Sequence, residues 1–152
     1  MDNMTTPSDL RVGSALAAQT NDTSITQVFR YSAATWNTHR IHYDKEYALK
    51  EGYPDVLVQS HLHGAFLTKY CTDWAGRAAR LTDLSLRVRR FAVAGETLSI
   101  AGTVRAVRAG EERRALVDLD LVETRGSDGE TCVEASATVE VPRSWIGEGV
   151  LP

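Results

Sequence analysis

The 152 residues carry a formal net charge of -3, with 43% hydrophobic and 24% charged side chains. That length suits one domain with a core of its own, and the acidic balance argues against wholesale nucleic-acid binding, which usually needs a basic face. No apolar run reaches the roughly 18 residues of a spanning helix, and the polar first residues lack a signal-peptide profile, so neither a membrane segment nor a leader is expected.

Residues 1–23, polar and with little periodicity, predict a partly ordered arm in which Leu10, Val12 and Leu16 are the packing residues. Residues 24–31 predict a strand, because Ile25, Val28, Phe29 and Tyr31 supply β-favouring bulk. Asp44 is placed to cap a short helix over 45–50. After the apolar run Val56-Leu57-Val58, the residues Leu62, Phe66, Leu67, Tyr70, Cys71 and Trp74 recur at steps of three and four. That is the stripe of a helix over 60–75, with Ser60 as its N-cap and Gly76 as its stop. Apolar and polar residues then alternate over 84–89, 98–105, 115–121 and 132–141, with turn signals at 94–96, 109–111 and 126–129. Four such strands form an antiparallel meander with one face on a core. The tail 143–152 is irregular and pinned by Trp145 and Ile146. One long helix covered by one curved antiparallel sheet puts the domain, 24–142, in the α+β class.

The chemistry is confined to the first half. All four histidines, His39, His42, His61 and His63, lie between positions 39 and 63. A metal site is disfavoured: the spacing matches no zinc-ligand motif, and His61 and His63 on one helix point about 200° apart. Cys71 and Cys132 are too few for a disulfide framework or a four-thiolate site, and read as reduced core thiols of a cytoplasmic protein. No nucleophile elbow surrounds Ser60, and no glycine-rich phosphate loop is present. General acid–base chemistry fits best. The loop 37–44 combines Asn37, His39, His42 and Asp44, and histidine exchanges protons near neutral pH. The start of the 60–75 helix adds free backbone N–H groups, which suit a developing oxyanion such as an enolate on a thioester.

The segment 29–44, FRYSAATWNTHRIHYD, resembles the MaoC-like hydratase/dehydratases of the hotdog fold. It is most similar to the branch of fungal 3-hydroxyacyl-thioester dehydratases and mesaconyl-CoA hydratases. Gly52-Tyr53-Pro54 before Leu57-Val58-Gln59-Ser60-His61 adds to the resemblance. Thr72-Asp73-Trp74-Ala75-Gly76 resembles the helix end of actinobacterial acyl-CoA hydratase subunits, and Arg90-Phe91 before Gly95-Glu96-Thr97-Leu98 fits the family's strand-turn-strand passage. The resemblance covers about residues 10–142, and its specific part is 29–64.

The family's usual motif places aspartate five residues before histidine. Here His42 takes the histidine place and Asn37 the aspartate place, while His39 and Arg40 stand for an asparagine-proline pair. Asparagine can hold water but cannot take a proton, so the resemblance loads proton transfer onto His42. At the helix start Ser60 takes the place of the family glycine and Gln59 that of its histidine. The resemblance thus implies a hotdog of five or six strands around a long helix that hydrates 2-enoyl thioesters or dehydrates 3-hydroxyacyl thioesters. His42 and Asn37 are then catalytic. Ser60, His61, His39, Gly64, Arg89 and Arg90 are the substrate-side candidates, the arginines for coenzyme A phosphates. It implies no cofactor beyond the coenzyme A or phosphopantetheine of the substrate, and a homodimer or a heteromer with another hotdog chain. Local readings stand beside these roles: loop orientation for His39, helix–sheet packing for Gly64, a tunnel lining or a helix cap for His61 and His63, a solvated strand face for the arginines. The alternatives are a non-catalytic acyl-binding subunit, suggested by Asn37 and Ser60, and a thioesterase, for which Asp73 lies too far along the helix.

Overall fold

A computed structural model describes residues 8–151. Its elements are β1 (Ala15–Asp22), α1 (Ile25–Thr35), α2 (Lys45–Lys50), α3 (Ser60–Ala75), β2 (Arg80–Val88), β3 (Thr97–Ala109), β4 (Arg114–Arg125) and β5 (Thr131–Pro142). The five strands make one antiparallel sheet in the order β1-β3-β4-β5-β2. It wraps α3, whose Leu62, Phe66, Leu67, Tyr70 and Cys71 are buried against Ile100, Leu119, Leu121, Ala137 and Val139. This is the hotdog architecture, and the expected helical stripe is its core. Trp74 packs at the stripe's margin, partly buried.

Two local signals act as expected. Asp44 caps α2, its side chain accepting from Tyr47 N, and Gly76 ends α3 with φ +59°, a region where a side chain is strained. At Gly102, on β3, the absence of a side chain lets Tyr70 and Leu121 close over the strand; a Cβ there would lie 2.9 Å from Leu121 Cδ2 and 3.3 Å from Tyr70 Cε1.

Four expectations are corrected. Residues 24–31 are not a strand: they lead into α1, because Ser24 Oγ accepts from Gln27 N as an N-cap and Val28 and Ser32, one turn apart, are both buried. The bulky Ile25 and Phe29 face outward. The arm stops short of residue 23: Ala15–Asp22 is an edge strand on β3, with its register shifted between Leu16 and Gln19. Ser60 is the first residue of α3 and not its cap; Gln59 occupies the cap position with extended backbone and no side-chain cap bond. The strands are also not a simple meander. β3, β4 and β5 follow one another, but β2 joins the far edge beside β5, so the chain between β2 and β3 crosses the sheet's width. The tail is pinned as expected: Trp145 is buried, and its carbonyl accepts from Leu10 N at 2.8 Å. Leu10 and Leu16 pack, while Val12 stays exposed.

Candidate active site

The turn after α1 builds the first part of the site. Trp36 ends the helix in the left-handed region, at φ 54° and ψ 36°, and Asn37 N then donates back to Ser32 O at 2.9 Å. The Asn37 side-chain oxygen accepts from His39 N at 3.2 Å, a local turn that commits Oδ1 and leaves the Nδ2 amide as the group available to a ligand. His39 in turn caps the single 3-10 turn Arg40–His42, accepting from Ile41 N at 3.4 Å. Its ring centroid lies 6.0 Å from that of His42. His39 therefore acts on loop shape, the local reading. Arg40 is held by Asp44 at 3.0 and 2.5 Å and stacks over Tyr47.

This loop is stitched to the segment entering α3. Leu57 N donates to Ile41 O at 2.9 Å, and His42 Nδ1 lies 2.9 Å from Leu57 O. A carbonyl oxygen only accepts, so Nδ1 carries the ring proton and Nε2 presents its lone pair. Burial is the main influence on this half-buried imidazole and pulls its pKa below the ordinary value, with a smaller push from His39. The backbone bond to Leu57 works in the opposite direction. Neutral His42 is thus a base at Nε2.

At the start of α3, Leu62 N and His63 N both donate to Gln59 O, whereas the N–H groups of Ser60 and His61 have no acceptor among the described residues. Gln59 is itself buried, and its Nε2 donates to Val28 O at 2.8 Å and Ser32 Oγ at 2.7 Å. One amide therefore lashes α1 to the beginning of α3.

A groove of about 700 Å³ runs along the outer face of α3, lined by Tyr31, Ser60, His61, Gly64, Thr68 and Leu86 among others. A cavity of about 260 Å³ lined by Tyr31, Thr35, Asn37 and His61 shares two of these residues. Asn37 and His61 thus line one cavity, and His61, Ser60 and Gly64 line the groove beside it. His42 lines neither cavity; it is held at Leu57, three residues before the helix. Gly64 serves packing as well as the groove, since a Cβ there would sit 3.1 Å from Leu86 Cδ2. Arg89 and Arg90 are outside the groove lining, and each faces a carboxylate: Arg89 binds Glu134 at 2.8 and 2.5 Å, and Arg90 lies 3.6 Å from Glu130. Among the described residues, no three His, Cys, Asp or Glu side chains are grouped as metal ligands would be.

Sequence reasoning left two features unread. Tyr31 reads in the sequence only as β-favouring bulk, yet it lines both spaces. His63 and Glu123 form a buried pair through Nδ1 and Oε1, 1% and 0% exposed, with His63 Nε2 and Glu123 Oε2 lacking partners among the described residues. Parity held the signal for Glu123: it continues the inward series Ala115, Val117, Leu119, Leu121. His63 adjoins the α3 stripe, one turn before Leu67.

Residues 4–94 match the family described as hydroxyacyl-thioester dehydratase type 2. The chain is 31% identical over 77 residues to the 3-oxo-4,17-pregnadiene-20-carboxyl-CoA hydratase beta subunit of Mycobacterium tuberculosis, spanning 51% of this chain and 60% of that protein. It is 34% identical over 115 residues to mesaconyl-C(4)-CoA hydratase of Chloroflexus aurantiacus, spanning 75% of this chain and 36% of that one. This chain therefore matches less than two thirds of either relative's length. Among solved structures, the ChsH1-ChsH2 complex of Mycobacterium tuberculosis superposes with a TM-score of 0.76 at 25% identity, covering 86% of this chain and 97% of the other. No helix among the described residues is long and apolar enough to cross a membrane.

Proposed function

Because the chain belongs to the hydroxyacyl-thioester dehydratase type 2 family, we propose that it reversibly hydrates 2-enoyl thioesters to their 3-hydroxyacyl forms. The observation that carries this reading is the pair of adjoining spaces lined by Asn37, His61 and Ser60 at the N-terminus of α3, with His42 held just upstream by Leu57 O.

In the hydration direction a water sits between Asn37 and His42. The Asn37 Nδ2 amide donates to the water oxygen, and His42 Nε2 takes one water proton as that oxygen bonds to C3 of the enoyl group. The C2–C3 π electrons move toward the thioester, whose oxygen becomes the enolate oxygen and is held by the Ser60 and His61 amides. The imidazolium then delivers its proton to C2, which restores His42 and completes addition of water. Dehydration is the same path reversed, with the departing hydroxyl accepting from Asn37. Asparagine contributes no second base, so one histidine both takes the proton from water and returns it to C2. The acyl group lies in the groove along α3, and coenzyme A or phosphopantetheine arrives as part of the substrate, with no separate cofactor. Buried, reduced Cys71 and Cys132 fit a cytoplasmic location.

A second reading is favoured by one specific departure, Asn37 and Ser60 standing where the family's usual aspartate and glycine would be. In it the chain is an acyl-binding subunit that works beside another hotdog chain, as the name of the ChsH1-ChsH2 complex suggests for a similar protein. The groove along α3 opens outward and suits cover by a second hotdog chain, identical or different.

The test is loss of enoyl absorbance when purified chain meets short- and long-chain 2-enoyl-CoA. Hydration by the chain alone supports the enzyme reading. Silence alone with activity in the presence of a partner chain, unchanged by His42→Ala, replaces it with the subunit reading.

A further inference from the structure

Tyr31 stands where the spaces of the site meet. Its ring lines the groove along α3, the cavity that holds Asn37 and His61, and a third space of about 600 Å³ bordered by Asp22, Gln27 and Arg30; no other residue is common to the three. The ring is partly buried against the core, and its hydroxyl makes no hydrogen bond among the described residues. Tyr70 and Tyr43 behave differently: their hydroxyls donate to Ala17 O at 3.0 Å and to Thr38 O at 2.9 Å.

The placement of Tyr31 relative to α3 is rigid for a reason visible in the chain. The buried Gln59 amide donates to Val28 O and to Ser32 Oγ, residues that flank Tyr31 on the same helical turn. Gln59 also caps α3, immediately before the unpaired N–H groups of Ser60 and His61. A single side chain thus fixes the phenol on α1 against the amide donors on α3. An enolate oxygen accepts more than one hydrogen bond, and donors fixed in advance stabilise it without reorganisation.

We propose that the Tyr31 hydroxyl is a further substrate-contacting donor, hydrogen-bonded to the thioester oxygen together with the α3 amides. The proposal rests on the hydration reading and adds to it a residue from a second helix. No proton leaves Tyr31: as the π electrons shift onto the thioester oxygen, the phenol O–H bond stays intact and its hydrogen bond shortens, while His42 alone takes and returns the transferred proton. Burial pushes the Tyr31 pKa up, which keeps the phenol a donor through the neutral range.

Tyr31→Phe removes one oxygen and keeps the ring that packs on the core. Two readouts test it. In turnover, kcat falls by roughly 10²-fold with little change in KM, the effect of losing an oxyanion donor. In binding, a conjugated 2-enoyl-CoA bound to the His42→Ala protein shows a red-shifted absorption band, because the donors polarise its carbonyl; adding Tyr31→Phe cuts that shift. Turnover and shift both matching their parent proteins would overturn the proposal and leave the role of His42 untouched. If the wild-type chain binds enoyl thioesters without hydrating them, the hydration reading fails, and the band shift in wild type against Tyr31→Phe still decides the contact. If no enoyl thioester binds at all, the proposal is wrong along with that reading.

Discussion

The carbonyl oxygen of Leu57 accepts a hydrogen bond from Nδ1 of His42 at 2.9 Å, and this one contact sets both the tautomer and the aim of the imidazole. It also joins the two parts of the site, since Leu57 lies three residues before α3 and the histidine lies on the loop that follows α1. His42 is therefore tied to the segment entering α3 and not carried by a free loop.

That contact and the half-burial of the ring lead to a pH prediction with a definite sign. Burial holds the His42 pKa below the histidine value of 6.5, so the neutral base persists into mildly acidic solution. The acid limb of kcat/KM for hydration is expected below pH 6.5 and is assigned to His42. Stability follows the same group. Below pH 6.5 an unfolded His42 takes up a proton more readily than the folded one, so acidification favours unfolding across the window between the two pKa values. His42→Gln is expected to flatten that part of the stability–pH curve, measured by urea midpoints at successive pH values. An acid limb above pH 6.5 would contradict the assignment.

Asn37 permits a sharper comparison, because its two side-chain ends do different things. Its oxygen shapes the turn by accepting from His39 N, and its amide is the end that the proposed mechanism assigns to the water. Asn37→Ala removes both and is expected to lower kcat by at least the roughly fivefold worth of one hydrogen bond of about 1 kcal/mol. His42→Ala, which deletes the base, should cost 10²-fold or more by the usual range for general acid–base groups, on the order of ten times the Asn37→Ala loss. Asn37→Asp keeps an oxygen for the turn and supplies a carboxylate that can take the water proton, so it should retain activity. Steady-state kinetics on one enoyl-CoA would settle the ranking, and an Asn37→Ala loss matching that of His42→Ala would refute a positioning role.

The central helix and its ends were legible because the signals are local. The apolar stripe of α3, the Asp44 cap and the Gly76 stop each act within a turn or two of chain. Residues 24–31 were misread because Ile25 and Phe29 look like strand bulk but are 52% and 56% exposed on the outer side of α1. The better signal was Ser24 with Gln27 three residues later, the spacing of a capping box. The pairing of β2 with β5 could not be read, since alternation reports a buried face and is blind to which neighbour supplies the ladder. The site divides similarly. Asn37 and His42 are singled out by a local motif, whereas the place of Tyr31 beside the spaces of the candidate site depends on where α1 meets α3, a relation set by the buried side chain of Gln59.

The pair His63–Glu123 yields a stability prediction independent of catalysis. Both side chains are buried, and each polar head is the other's only hydrogen-bond partner among the described residues. His63→Leu leaves the Glu123 carboxyl enclosed without a donor, and Glu123→Leu leaves the imidazole in the same position. Either single change is expected to cost about 3–5 kcal/mol, the range for breaking a buried pair. The double change removes both polar heads and should recover much of that loss, so the two effects are strongly non-additive. Urea unfolding of the two single variants and the double variant measures the coupling. Additive losses would mean that the two groups do not depend on each other.

Gly64 separates packing from substrate binding, because it faces Leu86 on β2 and lines the groove at once. A Cβ at this position would lie 3.1 Å from Leu86 Cδ2, the end of a half-buried side chain that can turn aside by a few tenths of an ångström. Alanine also favours the helix over glycine by about 0.8–1 kcal/mol, which opposes the cost of that adjustment. Gly64→Ala should therefore fold with stability within about 1 kcal/mol of the wild type. The added methyl narrows the groove where the acyl group is proposed to lie, so KM should rise more for long-chain than for short-chain enoyl-CoA. kcat on the short substrate should change little, because neither His42 nor the α3 amides move. A stability loss of several kcal/mol with unaltered chain-length preference would show that Gly64 serves the helix–sheet contact alone.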